Sequence, residues 1–115
     1  MKKVSRIIFM LGAVSTVSLS ASADVMRLAE EKQCMSCHAI DRDMSKAPSF
    51  VNIAQKYPNT TETTEMLVSK VRNGGVGHWG SAPMPLAGAR VDVSDDEANQ
   101  LVQWILSMRP GNKQE

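Results

Sequence analysis

Cys34-Met35-Ser36-Cys37-His38 is the stretch on which the reading of this chain turns. Two thiols separated by two residues can each form a thioether to one vinyl group of a single porphyrin. The histidine that follows at once is then held under the ring with an imidazole nitrogen toward the iron. The motif predicts one covalently bound haem c, with Cys34 and Cys37 as attachment sites and His38 as an axial ligand. The plainer alternatives are a thioredoxin-like dithiol, half of a zinc site, or a structural disulfide. The sequence holds no second C-x-x-C or H-x-x-x-H to complete a zinc site, and no βαβ pattern surrounds the pair.

The start of the chain supplies the compartment. Lys2, Lys3 and Arg6 form a basic n-region, residues 7–19 are mostly apolar, and Ala21-Ser22-Ala23 reads as a small-residue cleavage site. Residues 1–23 are therefore expected to be a cleaved export signal, with residues 24–115 as a single monohaem domain. An uncleaved anchor is the alternative, although the apolar run is short for a bilayer span. Export fits the motif, because the two thiols must be available for haem attachment outside the cytoplasm, and a bacterial periplasm is the expected location.

Taking 23 residues from 115 leaves 92, a length for one small domain. Three of the 13 basic residues go with the leader and none of the 12 acidic ones, so the remainder carries a formal charge of −2. That balance, with no basic run, argues against a nucleic-acid partner. So short a chain buries a limited core, and with no further cysteines for disulfides a covalent haem would supply apolar core of its own.

The remaining pattern is helical throughout. Val25, Leu28, Ala29 and Lys32 share one face of a helix expected over residues 24–33, with Asp24 as its N-cap. A short helix is expected over residues 49–56 after Pro48, ended by Tyr57-Pro58. Leu67, Val68 and Val71 place another over residues 64–73, stopped by Asn73-Gly74-Gly75. Ser94-Asp95-Asp96-Glu97 is a capping box, followed by Ala98, Leu101, Val102, Ile105 and Met108 on one face, with Pro110-Gly111 as the stop. No β-type alternation of useful length appears. The fold class is all-α.

A haem held by His38 has a second axial position. The Gly- and Pro-rich segment from Gly74 to Gly88 contains two candidates, Met84 and His78. Met84 lies between Pro83 and Pro85, which restrict the backbone there, and its soft thioether favours ferrous iron. His78 would serve as a second imidazole; as a lone histidine beside Trp79 it also reads as a surface residue. Met84 is the favoured ligand.

"CMSCHAID", "KAPSF", "KVRNGGVGHWGSAPMP" and "VSDDEANQLVQWILS" together resemble the small class I bacterial cytochromes c, closest to the cytochrome c-551 type of anaerobic nitrite respiration. The resemblance spans nearly the whole of residues 24–115. It implies a single haem wrapped by crossed N- and C-terminal helices, with thioethers at Cys34 and Cys37 and axial ligands His38 and Met84. By the same resemblance the Pro48 carbonyl accepts from the ligand histidine, and Trp79 donates its indole N–H to a haem propionate. Lys70 falls where the group usually has an arginine near that propionate; a lysine ammonium lacks the planar fork. One departure stands out. The group has a further proline and an asparagine after the methionine, the latter bonded to its sulfur. Here Leu86-Ala87-Gly88-Ala89-Arg90-Val91-Asp92 follows Pro85 instead, with no asparagine until Asn99.

Two strong axial ligands leave no open position for a substrate, so the expected function is one-electron transfer without turnover. The expectation is a periplasmic monomer serving redox protein partners, with no nucleic acid, no small-molecule substrate and no membrane contact except through partner complexes. Donors would be a quinol-oxidising complex or similar. Acceptors would be a cytochrome cd-type nitrite reductase, a cytochrome c peroxidase or a terminal oxidase. The alternatives are a haem subunit docked to or anchored in a larger oxidoreductase, and a haem peroxidase or gas sensor. Met35, Val76, Pro83, Pro85 and Leu86 are candidates for an apolar docking patch, with Lys32, Lys46 and Lys56 as rim charges.

Overall fold

Ser94 and Glu97 close the capping box read from the sequence. The Ser94 hydroxyl accepts from the Glu97 amide at 3.2 Å, and a Glu97 carboxylate oxygen accepts from the Ser94 amide at 2.8 Å. In this computed structural model, which describes residues 12–13, 20–77, 79 and 82–111, that box opens the last helix. Four α-helices form among the described residues: α1 Ser20–Glu31, α2 Phe50–Lys56, α3 Thr61–Asn73 and α4 Asp95–Leu106, with a 3-10 turn at Cys34–Ser36 after α1. Only two isolated β-bridges occur there and no strand, so the all-α expectation holds.

Each helix departs slightly from the sequence expectation, for a local reason. The first helix extends back to Ser20, so Asp24 lies inside it instead of capping it. Ala21 and Ala23 are good helix formers, and nothing stops the helix there. Ala21 to Ala23, the expected cleavage site, therefore lies on α1; residues 1–11 and 14–19 of the expected leader are outside the described residues. The third helix begins three residues earlier than its apolar pattern. Thr60 caps it by accepting from the Thr63 amide at 3.2 Å, and Thr61, Glu62 and Thr63 carry no apolar signal. The last helix stops at Leu106, ahead of Pro110, with the Ser107 hydroxyl donating to the Trp104 carbonyl at 2.6 Å.

The apolar face of α4 is the centre of the core. Leu101, Val102 and Leu106 are each 1 % exposed, and they cluster with Ala98, Ala29 of α1, Val68 of α3 and Val93. Ala29 and Ala98 have no exposed surface. Small residues at a helix contact permit close axes, and here they let the N- and C-terminal helices pack together. Lys32, just beyond α1, locks this pairing by reaching the Asp92 carbonyl and the Glu97 carboxylate, each at 2.9 Å. In this structure it is committed to the helix pairing. At the other end, Arg109 donates to the carbonyls of Ala54, Gln55 and Tyr57 at 3.0 to 3.2 Å, satisfying the C-terminal end of α2.

The capping box makes a measurable prediction. Ser94→Ala is expected to cost about 1 kcal/mol in urea denaturation, the usual worth of an N-cap hydroxyl. Acid should act on the same corner. The Glu97 carboxyl is held below the usual carboxylate range, first by the Ser94 amide and then by Lys32. Folding favours its ionised form, so its contribution is present above that range and is lost as pH falls through the lowered value. Glu97→Gln should accordingly flatten the decline in melting temperature below roughly pH 4.

Candidate functional site

The turn that carries the motif is built on one carbonyl. After α1, Gln33 takes the left-handed conformation (φ 61°), and the Cys34 carbonyl then accepts from the amides of Cys37 at 3.3 Å and His38 at 3.0 Å. This compact fold gathers both thiols and the imidazole on a single short turn. Both cysteines are free thiols and half-buried. Cys34 also packs against the core cluster. Burial pushes its thiol up from the ordinary value, partly offset by its own backbone hydrogen bond and by the positive charge of Arg90.

His38 is oriented from two sides. Its Nδ1 lies 2.7 Å from the Pro48 carbonyl oxygen. A carbonyl can only accept, so Nδ1 carries the proton and Nε2 keeps its lone pair. Burial lowers the histidine's pKa, with the Pro48 bond opposing it, which favours a neutral ring at neutral pH. The Phe50 ring stacks on the imidazole at 5.3 Å, and Phe50 meets Trp104 of α4 edge-on at 5.6 Å. The imidazole is thus tied to the core through an aromatic relay.

Pro48 is positioned in turn by the start of α2. All four leading amide groups there are paired. Ser49 N–H donates to Asp43 Oδ1 at 2.7 Å, Phe50 to the Ala39 carbonyl at 3.0 Å, and Val51 to the Ile40 carbonyl at 2.9 Å; Asn52 donates to the Ser49 hydroxyl at 3.1 Å. The Asn52 side chain adds a 2.9 Å bond to the same Asp43 oxygen. These bonds hold the Asp43 carboxyl below its ordinary pKa, the Ser49 amide first among them.

The methionine loop is braced against α3. Gly74 follows α3 in a positive-φ conformation (71°), and Gly75 pairs with Met84 through two backbone bonds of 2.9 and 3.0 Å. Arg90 donates through Nε to the Pro85 carbonyl at 2.8 Å and through Nη2 to the Val71 carbonyl. Ala87 N–H reaches the Asn73 carbonyl at 3.2 Å. Met84 itself is half-buried, between exposed Pro83 and Pro85. The Lys70 ammonium donates to the Val76 carbonyl at 3.0 Å and so braces the same loop from below. Trp79 is half-buried with the Lys56 ammonium 4.5 Å over its ring. Trp79 and Pro48 line one cavity together with Asp43, Lys46 and Ala82. His78, the other distal candidate, lies outside the described residues.

Of the residues singled out from sequence, Cys34, Cys37, His38 and Pro48 therefore form one connected unit, and Pro48 and Trp79 face a common space. Lys70 on α3 and Met84 in the loop that follows belong to a second unit, Lys70 bonded to Val76 and Met84 to Gly75. Sequence reasoning missed Asp43, Gly74 as a close-approach site, and Arg90. A basic residue in the segment that departs from the family pattern was the only available hint, and Arg90 is that residue. The donor set suits a covalent haem: two unpaired thiols, a neutral imidazole with a free Nε2, and an aromatic backing.

Comparison with known proteins agrees. Residues 22–109 match the family model for cytochrome c. Cytochrome c-552 of Hydrogenobacter thermophilus is 40% identical over 83 residues, covering 72% of this chain and 80% of that protein. Cytochrome c-551 of Allochromatium vinosum is 40% identical over 93 residues, covering 81% and 94% respectively. The crystal structure of wild-type Nitrosomonas europaea cytochrome c552 superposes with a TM-score of 0.64 at 33% identity, covering 73% of this chain and 99% of that one. The likeness in sequence and in helical fold has one common meaning: this chain belongs to the cytochrome c family, as a small class I member carrying covalent haem c and acting in electron transfer.

Proposed function

We propose that this protein is a periplasmic one-electron carrier with no turnover of its own, holding its haem through Cys34 and Cys37 and ligating the iron with His38 and Met84. The observation that carries this reading is the 2.7 Å bond from His38 Nδ1 to the Pro48 carbonyl, made on the same turn as two unpaired thiols. It leaves Nε2 as the only ring nitrogen able to bind a metal, and it fixes the ring's orientation.

Haem supplies the one-electron couple; the chain supplies everything that makes the couple reversible and selective. Cys34 and Cys37 would anchor the group through thioethers, so that it would survive denaturing extraction. His38 presents a neutral nitrogen held by Pro48 and Phe50. Met84 presents a thioether from a loop pinned by Gly75, Arg90 and Lys70, so little entropy is lost in ligation. With His38 and Met84 both given to the iron, the haem would have no place left to bind peroxide, nitrite or a gas. Trp79 and Lys70 are proposed to stand at the propionate side, with the indole N–H as the donor.

Exposed Val76 and Leu86, 73 % and 61 % accessible, stand with exposed Pro83 and Pro85 on the methionine loop. This patch, with half-buried Met35 beside the attachment turn, is the proposed contact with redox partners, and Lys46 and Lys56 are its proposed rim charges. An upstream quinol-oxidising complex and a downstream nitrite reductase, peroxidase or oxidase match that chemistry. The basic n-region, apolar run and Ala21-Ser22-Ala23 support export, and no helix among the described residues is long and apolar enough to cross a membrane.

Purified protein from a periplasmic fraction tests the reading. Its mass is expected to equal the chain from Asp24 plus one haem, resistant to acid-acetone extraction. Reduced protein should be oxidised rapidly by a nitrite reductase or oxidase preparation, yet consume neither nitrite nor peroxide alone. A haem-free disulfide form as the native species would refute the site; intrinsic peroxidase turnover would refute the carrier role.

A further inference from the structure

One peptide unit is engaged at both ends. The group joining Pro48 to Ser49 accepts at its carbonyl from His38 Nδ1 at 2.7 Å and donates from its N–H to Asp43 Oδ1 at 2.7 Å. The carboxylate, the peptide and the imidazole therefore form a continuous hydrogen-bonded chain that ends at Nε2. The geometry points to Asp43 as a positioning residue for the proximal histidine, whose carboxylate polarises the Pro48–Ser49 peptide and so strengthens His38 as an electron donor to the iron. This rests on His38 being the axial ligand.

The physical argument has three steps. A carboxylate on a peptide N–H gives a charge-assisted bond, and 2.7 Å is at the short end of that class. Such a bond draws density toward the carbonyl oxygen of the same peptide, and linked hydrogen bonds strengthen one another by roughly 10–30%. A stronger acceptor on Nδ1–H then gives the ring more imidazolate character, which raises its basicity at the other nitrogen. A more basic nitrogen favours the more highly charged ferric state. Asp43 would thus lower the reduction potential, opposing the thioether of Met84, which favours the ferrous state.

Helix capping alone does not account for the arrangement. Capping explains why Ser49 N–H and the Asn52 side chain need an acceptor, but a neutral oxygen would serve both equally well. The relay depends on charge. Asp43 is itself exposed, so its direct field on the site is weakened by water and salt. The hydrogen-bonded path through Ser49, which is 0 % exposed, is shielded from both.

Asp43→Asn keeps an acceptor oxygen in place and removes only the charge. Asp41→Asn, at an exposed residue three positions from His38, removes an equal charge off the path and serves as the control. Asp43→Glu retains the charge. The readouts are the midpoint potential at high salt and the proton resonance of His38 Nδ1–H in the reduced holoprotein. Asp43→Asn is expected to raise the potential and move the Nδ1–H resonance upfield, the direction of a weaker hydrogen bond. Asp41→Asn should move neither, and Asp43→Glu should stay closer to wild type than Asp43→Asn. The inference fails if Asp43→Asn leaves both readouts unchanged. It also fails if Asp41→Asn shifts the potential as far, or if Asp43→Glu matches Asp43→Asn. The functional reading is judged separately, on the wild type: ring-current-shifted His38 signals identify it as the haem ligand whatever the variants do.

Discussion

Met84→Ala is expected to abolish the weak absorption band that thioether ligation gives ferric haem near the red limit of the visible spectrum. It should also lower the midpoint potential and open the iron to carbon monoxide. An alanine methyl cannot coordinate, and losing a soft sulfur removes the preference for the ferrous state. Axial ligands set haem potentials over about 0.8 V, so a drop on the order of 100 mV or more is expected. His78→Ala is expected to leave band and potential nearly unchanged. The reverse outcome in the two mutants would assign the distal position to His78, and the carrier would then work at a lower potential with different partners.

Gly74→Ala is expected to reproduce much of the Met84→Ala spectrum without touching a ligand. A Cβ at this position would lie 2.1 Å from the Pro85 carbonyl oxygen, 2.6 Å from its carbon and 2.8 Å from the Met84 carbonyl oxygen. All three are backbone atoms, so the Met84–Pro85 segment itself must move. The backbone at Gly74 also has φ 71° and ψ −154°, a region essentially reserved for glycine that costs an L-residue about 1–3 kcal/mol. The clash adds to that cost. Absorption at the red limit and urea denaturation, measured on the same samples, are expected to show loss of the band together with a stability loss of at least about 1 kcal/mol. An intact band with normal stability would mean that the loop yields without displacing the sulfur.

Both mutations act on one loop, and their contrast shows how unevenly the site was legible. Met84 stood out in the sequence because prolines flank it and thioether chemistry suits haem iron. Gly74 read only as a helix stop, because a close approach between residue 74 and residue 85 leaves no local mark. Arg90 likewise reads as an ordinary surface charge until its guanidinium is seen donating to the carbonyls of Pro85 and Val71. It stands in the segment that departs from the family pattern, where an asparagine would serve the methionine sulfur. Here the arginine secures the backbone of the loop instead. Lys32 has a structural task that the sequence did not announce. Its place near the attachment turn suggested a docking charge, but the Asp92 carbonyl and Glu97 carboxylate hold it at the helix pairing.

The chain's own residues determined the helical class, the capping box at Ser94, the apolar face of α4 and the haem motif. Each of these is written in neighbours a few positions apart: a 3.6-residue period, a hydroxyl three residues before a carboxylate, two thiols and an imidazole within five residues. Tertiary structure alone decided which oxygen receives His38 Nδ1, what holds Pro48 in place and what fixes the Met84 loop. Those contacts join Asp43 to Ser49, Phe50 to Trp104, Gly75 to Met84 and Arg90 to Val71. They link side chains and backbone groups on different turns, loops and helices, and no periodicity or short motif in the sequence announces such a pairing.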